Sequence, residues 1–366
     1  MLFTTRSARV RIVVAAAISL FYVATAPVAR AEGAAPVTAG NAKVADLVAK
    51  ATQYLAQDGA AADGSFSAQA GPAITALVAA ALQRNGRTAS DPLVAEALKY
   101  LEGFVQPTGG IYSPESTHRN YETCIALSAF QLANDDGRYD DLLAGAESFL
   151  RGLQWDDGEG IEPSDERYGG AGYGGHRRPD LSNTQFFIEA LRSVGAGPDD
   201  PAIERALIFV SRCQNLETEF NTTPFSAKNP DGGFYYTPAA GGTSQAGETA
   251  NGGLRSYGSM TYAVFKSMIY AGVDADDQRV AAALQWIGQH YDLSSNPGMG
   301  AAGLYYYYQT FAKALAASDM DELIDAEGVA HDWRRELVDV LAAQQQANGS
   351  WVNETSRWME GDPNLV

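Results

Sequence analysis

Cysteine, histidine and basic residues are all scarce in this chain. Only two Cys and four His occur among 366 residues, with no C-x-x-C pair and no His/Cys cluster. Tetrahedral zinc needs such clusters, so no metal site and no cofactor are expected. Lys and Arg number 26 against 44 Asp and Glu, a formal net charge of −18. Phosphate backbones are bound by clustered Lys and Arg, which excludes nucleic acid as a partner. Charged residues are only 19% of the chain and hydrophobic ones 46%, which excludes wholesale disorder. Past the N-terminal thirty residues no apolar run is long enough to span a bilayer.

The N-terminus itself reads as a targeting segment. Arg6, Arg9 and Arg11 precede an apolar run from Ile12 to about Ala26, and Ala29-Arg30-Ala31 follows. A basic start, an apolar middle and an A-x-A site describe a secretory signal peptide, residues 1–31, cut after Ala31. The other reading is an uncleaved anchor, but the run falls short of the roughly 20 residues a span requires. Cleavage would remove four Arg and no acid, take the net charge from −18 to −22, and leave an exported, periplasmic, secreted or cell-surface product. Cys124 and Cys213 would then meet an oxidising compartment, where a disulfide and two buried free thiols are both open.

Glycine is abundant, at 37 residues. Short glycine turns recur at Gly64, Gly110, Gly158, Gly233, Gly298 and Gly349. An amphipathic pattern precedes each turn: Val44, Leu47, Val48 and Ala51 show i, i+3, i+4, i+7 spacing, and Leu142, Leu143, Ala146 and Phe149 repeat it. A more uniformly apolar pattern follows the turns, as in Ala73–Leu82 or Thr261–Ile269. The unit is outer helix, glycine turn, inner helix, with no convincing strands between. Six such units predict an all-α fold, one domain over residues 40–366. Its expected form is an α6/α6 toroid (an α/α barrel) whose inner helices ring a cavity, with an open solenoid as the geometric alternative. After the sixth turn the chain reaches Val366 without a sixth inner helix.

These turns also resemble a known repeat. Gln106-x-x-x-Gly110-x-Tyr112 and Gln345-x-x-x-Gly349-x-Trp351, with Gln154-x-x-x-Gly158 as a partial copy, are similar to the Gln…Trp repeat of squalene and oxidosqualene cyclases. The chain resembles the prenyltransferase/squalene-cyclase repeat superfamily, which implies the same toroid and an isoprenoid or other apolar small molecule as ligand. The cyclases' Asp-x-Asp-Asp-Thr proton-donating segment has its nearest match in Asp180-Leu181-Ser182-Asn183-Thr184, where Ser182 stands at the donor's place. A hydroxyl is far too weak an acid to protonate an alkene. Asp180 suits an N-cap role. The zinc ligands of the protein prenyltransferases have no counterpart in Tyr257–Tyr262, so the catalytic residues are left unassigned.

Two segments between units are long, Gly158–Pro179 and Asn221–Arg255, and long loops at a cavity mouth tend to carry function. Ligand contacts are expected from His176, Asp180, Tyr236, Arg255, Tyr257, Tyr306 and Tyr307. Surface charge for His176 and core filling for the tyrosines are the bland alternatives. Against an apolar-ligand toroid stands a non-catalytic module that binds protein, peptide or glycan through the long loops. A weaker third reading is a glycan-cleaving enzyme using loop carboxylates such as Glu162 and Asp165.

Overall fold

The computed structural model of the chain describes residues 39–174 and 178–366. The expected signal peptide and its cleavage site lie outside them. The described residues belong to one compact unit, Val37–Val366. Eleven helices occur among the described residues, and none is long and apolar enough to cross a membrane.

The helices fall into two kinds by burial. One kind buries a single stripe: α3 (Pro92–Glu102) covers only Val94, Ala97, Leu98 and Leu101, and α5 (Asp140–Arg151) only Leu143, Ala146 and Leu150. The remaining members are α1 (Ala39–Tyr54), α7 (Pro201–Arg212), α9 (Gln278–Gln289) and α11 (Trp333–Gln344). Helices α3, α7, α9 and α11 each start on an Asp cap, from Asp91, Asp200, Asp277 and Asp332.

The other kind forms one packed series. It comprises α2 (Pro72–Arg84), α4 (Arg119–Leu132), α6 (Leu181–Ser193), α8 (Gly258–Tyr270) and α10 (Leu304–Ala317). Its members α2, α4, α6 and α8 are buried over most of their length. Consecutive members pack in the order α2, α4, α6, α8, α10, and α2, α4, α6 and α8 each hold the striped helix that follows. The first and last striped helices, α1 and α11, touch one another. A two-residue hairpin, β1 (Leu323–Ile324) with β2 (Ala330–His331), interrupts the passage from α10 to α11, where no strand was expected. Beyond α11 the residues to Val366 form turns and one short 3-10 segment.

Three contacts repeat at the glycine turns. First, a glycine lies flat on a backbone carbonyl of the next striped helix: Gly64 on Glu96, Gly109 on Gly145, Gly169 on Arg205, Gly232 on Ala282 and Gly349 on Lys50. Second, a Thr hydroxyl of the following buried helix accepts the turn's N–H. Phe66 donates to Thr75, Ile111 to Thr123, Ala171 to Thr184 and Phe234 to Thr261, at 2.9–3.1 Å. Third, a Gln amide ties the turn to the next striped helix. Gln154 Nε2 donates to Gly169 and Ala202 carbonyls, Gln214 to Gly232 and Arg279, and Gln345 to Gly349 and Leu47. Gln106 bonds only locally, to Phe104 and Tyr112 carbonyls, while Tyr112 stacks on Phe149 of α5.

This regularity corrects the expected third turn. Gln154 reaches Gly169, not Gly158, so the turn equivalent to the others is Gly169-Gly170. Gly158 belongs to a short 3-10 segment closed by its own capping box between Asp156 and Glu159. The two cysteines, Cys124 and Cys213, are both free and buried.

At Gly169 the backbone is left-handed (φ 82°), and an added Cβ would sit 1.8 Å from the Arg205 carbonyl oxygen. Gly160 is also left-handed (φ 71°) but has nothing within 4 Å of such a Cβ. Gly160→Ala should therefore cost about 1 kcal/mol from backbone strain alone, and Gly169→Ala about 3 kcal/mol or more because α7 must also move away. Urea unfolding of the two variants measures the difference, and equal costs would contradict the close packing of this turn on α7.

Candidate functional site

Asp180 closes the loop before α6 and caps that helix. Its Oδ1 accepts from Asn183 N at 2.9 Å, and Asn183 Nδ2 donates to both carboxylate oxygens at 3.1 and 2.9 Å. No other buried helix has a side-chain cap: the residues at that position are Gly71, His118, Tyr257 and Gly303. Thr184, by contrast, repeats the turn contact of Thr75, Thr123 and Thr261. The Asp180–Thr184 segment therefore joins a Thr common to four units with an acid found in one.

That acid is only 1% exposed. Burial raises its pKa to about 6, against the hydrogen bonds from Asn183 and the Tyr236 hydroxyl and the charge of Arg178. Tyr236 comes from the second long loop, and Arg178 sits 5.5 Å over its ring. The two long loops are joined beside it: Leu181 N donates to the Tyr236 carbonyl, and the Thr237 hydroxyl to the Pro179 carbonyl. Two buried amides of this end, Asn120 through Nδ2 and Asn183 through Oδ1, have an atom with no hydrogen-bond partner among the described residues.

From Asp180 a polar line runs down α6. Ser182 Oγ lies 3.4 Å from the Tyr306 hydroxyl, which Gln185 Nε2 also approaches at 3.5 Å. Gln185 Oε1 accepts from Lys266 Nζ at 2.8 Å, and Lys266 donates again to Glu189 Oε2 at 2.9 Å. Lys313 holds the other oxygen of Glu189 at 2.5 Å. Burial alone would raise the Glu189 pKa, but the charges and hydrogen bonds of the two lysines outweigh it and hold the carboxyl well below its ordinary range. Beside this line stand three aromatic rings from three helices. Tyr121 of α4 meets Phe186 of α6 edge-on at 5.1 Å, and Phe186 lies 6.3 Å from Tyr306 of α10.

The expected contact residues are distributed as follows. Asp180, Tyr236, Tyr257 and Tyr306 come together: burial first, then the neighbouring Tyr306 and Asp180, pushes the Tyr257 hydroxyl well above its ordinary pKa. Tyr307 packs in the wall against Tyr262 and Phe311, its hydroxyl donating to the Asp292 carbonyl. Arg255 is exposed, donates to the Glu248 carbonyl and lines a different cleft with Asp231, Trp286 and His290. His176 lies outside the described residues. Sequence reasoning missed Gln185, Glu189, Lys266 and Lys313. A signal existed in two of them, each a lone charge in an apolar run: Phe-Phe-Ile-Glu189-Ala-Leu and Ala-Val-Phe-Lys266-Ser-Met.

No protein-family model matches the chain, and no curated protein matches it. Among solved structures it is similar to two variants of the type II terpene cyclase MstE from Scytonema. The one in complex with merosterolic acid A (product) is 15% identical, with 85% of this chain and 83% of that one covered and a TM-score of 0.30. The one in complex with geranylgeranyl dihydroxybenzoate (substrate) is 14% identical, with 85% and 82% covered and a TM-score of 0.28. What the interior of the present chain can do rests on its own residues.

Asp180 makes stability depend on pH in a defined direction. Its proton is held more tightly in the folded chain, so it favours folding below about pH 4, and that advantage is lost as pH rises through 6. The loss amounts to about 3 kcal/mol. Asp180→Asn keeps a capping oxygen but cannot ionise, so this fall between pH 4 and 6 should vanish. Urea unfolding of both proteins from pH 4 to 7 tests it, and parallel stability curves would contradict the raised pKa.

Proposed function

We propose that the eleven helices form an α/α toroid, five buried helices inside six striped ones, whose interior binds an elongated apolar molecule of isoprenoid type. The carrying observation is that Tyr121, Phe186 and Tyr306, from three successive or facing buried helices, meet as one aromatic cluster while each keeps part of its surface accessible. Rings left partly uncovered in this way offer an apolar wall to a ligand. Contacts of α6 with α10 across their common neighbour α8, at Ser182–Tyr306 and Glu189–Lys313, support a narrow interior. The contact of α1 with α11 supports a closed ring over an open solenoid.

Aromatic walls with a few placed polar groups suit such a ligand. Ser182 offers no acid strong enough to start a cyclisation, and we infer binding rather than protonation of an alkene as the function of this space. The chain is taken to be exported, with residues 1–31 removed; intact-mass analysis of the exported product should then give an N-terminus at Glu32.

Farnesol, an uncharged isoprenoid alcohol, is a direct probe. Calorimetric titration into the purified protein should give one site per chain. Phe186→Ala, which removes the ring between the two tyrosines, should weaken binding about tenfold, or about 1.4 kcal/mol. Absence of saturable binding, or an unchanged affinity in the folded variant, would overturn the assignment.

A further inference from the structure

One end of the interior carries a charge pattern foreign to the rest of the molecule. The whole chain has 44 acidic and 26 basic residues, yet here two lysines share one carboxylate. Glu189 is bonded by Lys266 and Lys313, each oxygen taken by one lysine. Arg84, the last residue of α2, adds its positive charge to the same place, acting on both Lys313 and Tyr270. Arg192, in the last turn of α6, also acts on Tyr270.

The two lysines differ in what they have left to give. Lys266 is 1% exposed and divides itself between Glu189 and Gln185. Among the described residues Lys313 makes one hydrogen bond, to Glu189, and its side chain stays 27% exposed. An ammonium has three donors, so Lys313 keeps two for the interior space. Burial foremost, then repulsion from Lys266 and Arg84, draws its pKa down to about 8 despite Glu189.

We propose that this end of the interior, at Lys313 and Arg84, seats the carboxylate of an amphiphile whose apolar chain lies along Phe186 and Tyr306. The inference rests on the apolar interior proposed above and names the ligand class for it: an isoprenoid-like or fatty carboxylic acid in place of a neutral lipid. Geometry favours one continuous molecule. Phe186 is one helical turn from Glu189 on α6, and Tyr306 two turns from Lys313 on α10, so both helices lead from ring to charge along one face. A bound monoanion would take up the free donors of Lys313, and hydrogen bonds between charged partners in a dry site are the strong ones.

Farnesoic acid and farnesol differ in the head group and share the chain, so calorimetry of both on the full protein at pH 7 isolates it. The acid should bind at least tenfold more tightly than the alcohol. Lys313→Met should abolish that preference, while Lys313→Arg should retain it. Arg84→Gln, at an exposed position, should reduce the preference without touching the fold. If Lys313→Met fails to fold, an undiminished preference in Arg84→Gln overturns the proposal. Equal binding of acid and alcohol also overturns it, with the apolar interior left standing; binding of neither removes both.

Discussion

The packing of a glycine turn on a neighbouring helix carbonyl is the constraint on which the rest of the molecule hangs. Only a residue without Cβ can lie this close to the next striped helix in a left-handed conformation, since at Gly169 an added Cβ would come within 1.8 Å of the Arg205 carbonyl oxygen of α7. Once that approach is made, the Gln amide can bridge the turn carbonyl and the neighbouring helix start, and the Thr hydroxyl can take the turn N–H. Each contact satisfies backbone groups that a helix end would otherwise leave bare in a buried place. Together they fix the distance between layers, and with it the direction in which every buried helix enters the interior.

Most of that scaffold is legible in the sequence because it is local. The stripe of Val94, Ala97, Leu98 and Leu101 announces a half-exposed helix, and the unbroken apolar run after Pro72 announces a buried one. The cap at Asp180 is equally local, an acid three residues before Asn183. The third turn was misplaced at Gly158 for a physical reason. A Gln followed by Gly at the right spacing matches the other units, but residues 156–160 close on themselves through a capping box and leave Gln154 free to reach Gly169. Spacing alone does not distinguish a glycine that turns the chain from one that lies against a helix.

The interior was far less legible. Glu189 and Lys266 belong to helices separated by the whole of α7 and the longest loop, and Lys313 lies further still along the chain. Nothing local to any of them signals the others, although a lone charge inside an apolar run implies some partner. The result is two buried acids of distinct character, one capping α6 and one within it. At the loop end a carboxyl is pressed toward neutrality by burial, held by an amide and a phenol. At the far end a carboxylate is kept ionised by lysines in excess. The same residue chemistry gives opposite outcomes because burial outweighs the hydrogen bonds and the single Arg178 charge at Asp180, whereas two bonded lysines outweigh it at Glu189.

The bonds that join the first striped helix to the last have a consequence for how the chain is made. Gln345 holds the Leu47 carbonyl, Gly349 lies on Lys50, and Lys43 pairs with Asp339. These partners stand at opposite ends of the polypeptide, so α1 waits for nearly the entire sequence before its flank is covered. An open stack of repeats can nucleate anywhere and fray from either end. Here the final unit returns to the initial one, so the pairing of α1 with α11 forms only when the last unit is present. Contacts of such long sequence separation carry the greatest loop-closure cost and are made late in folding.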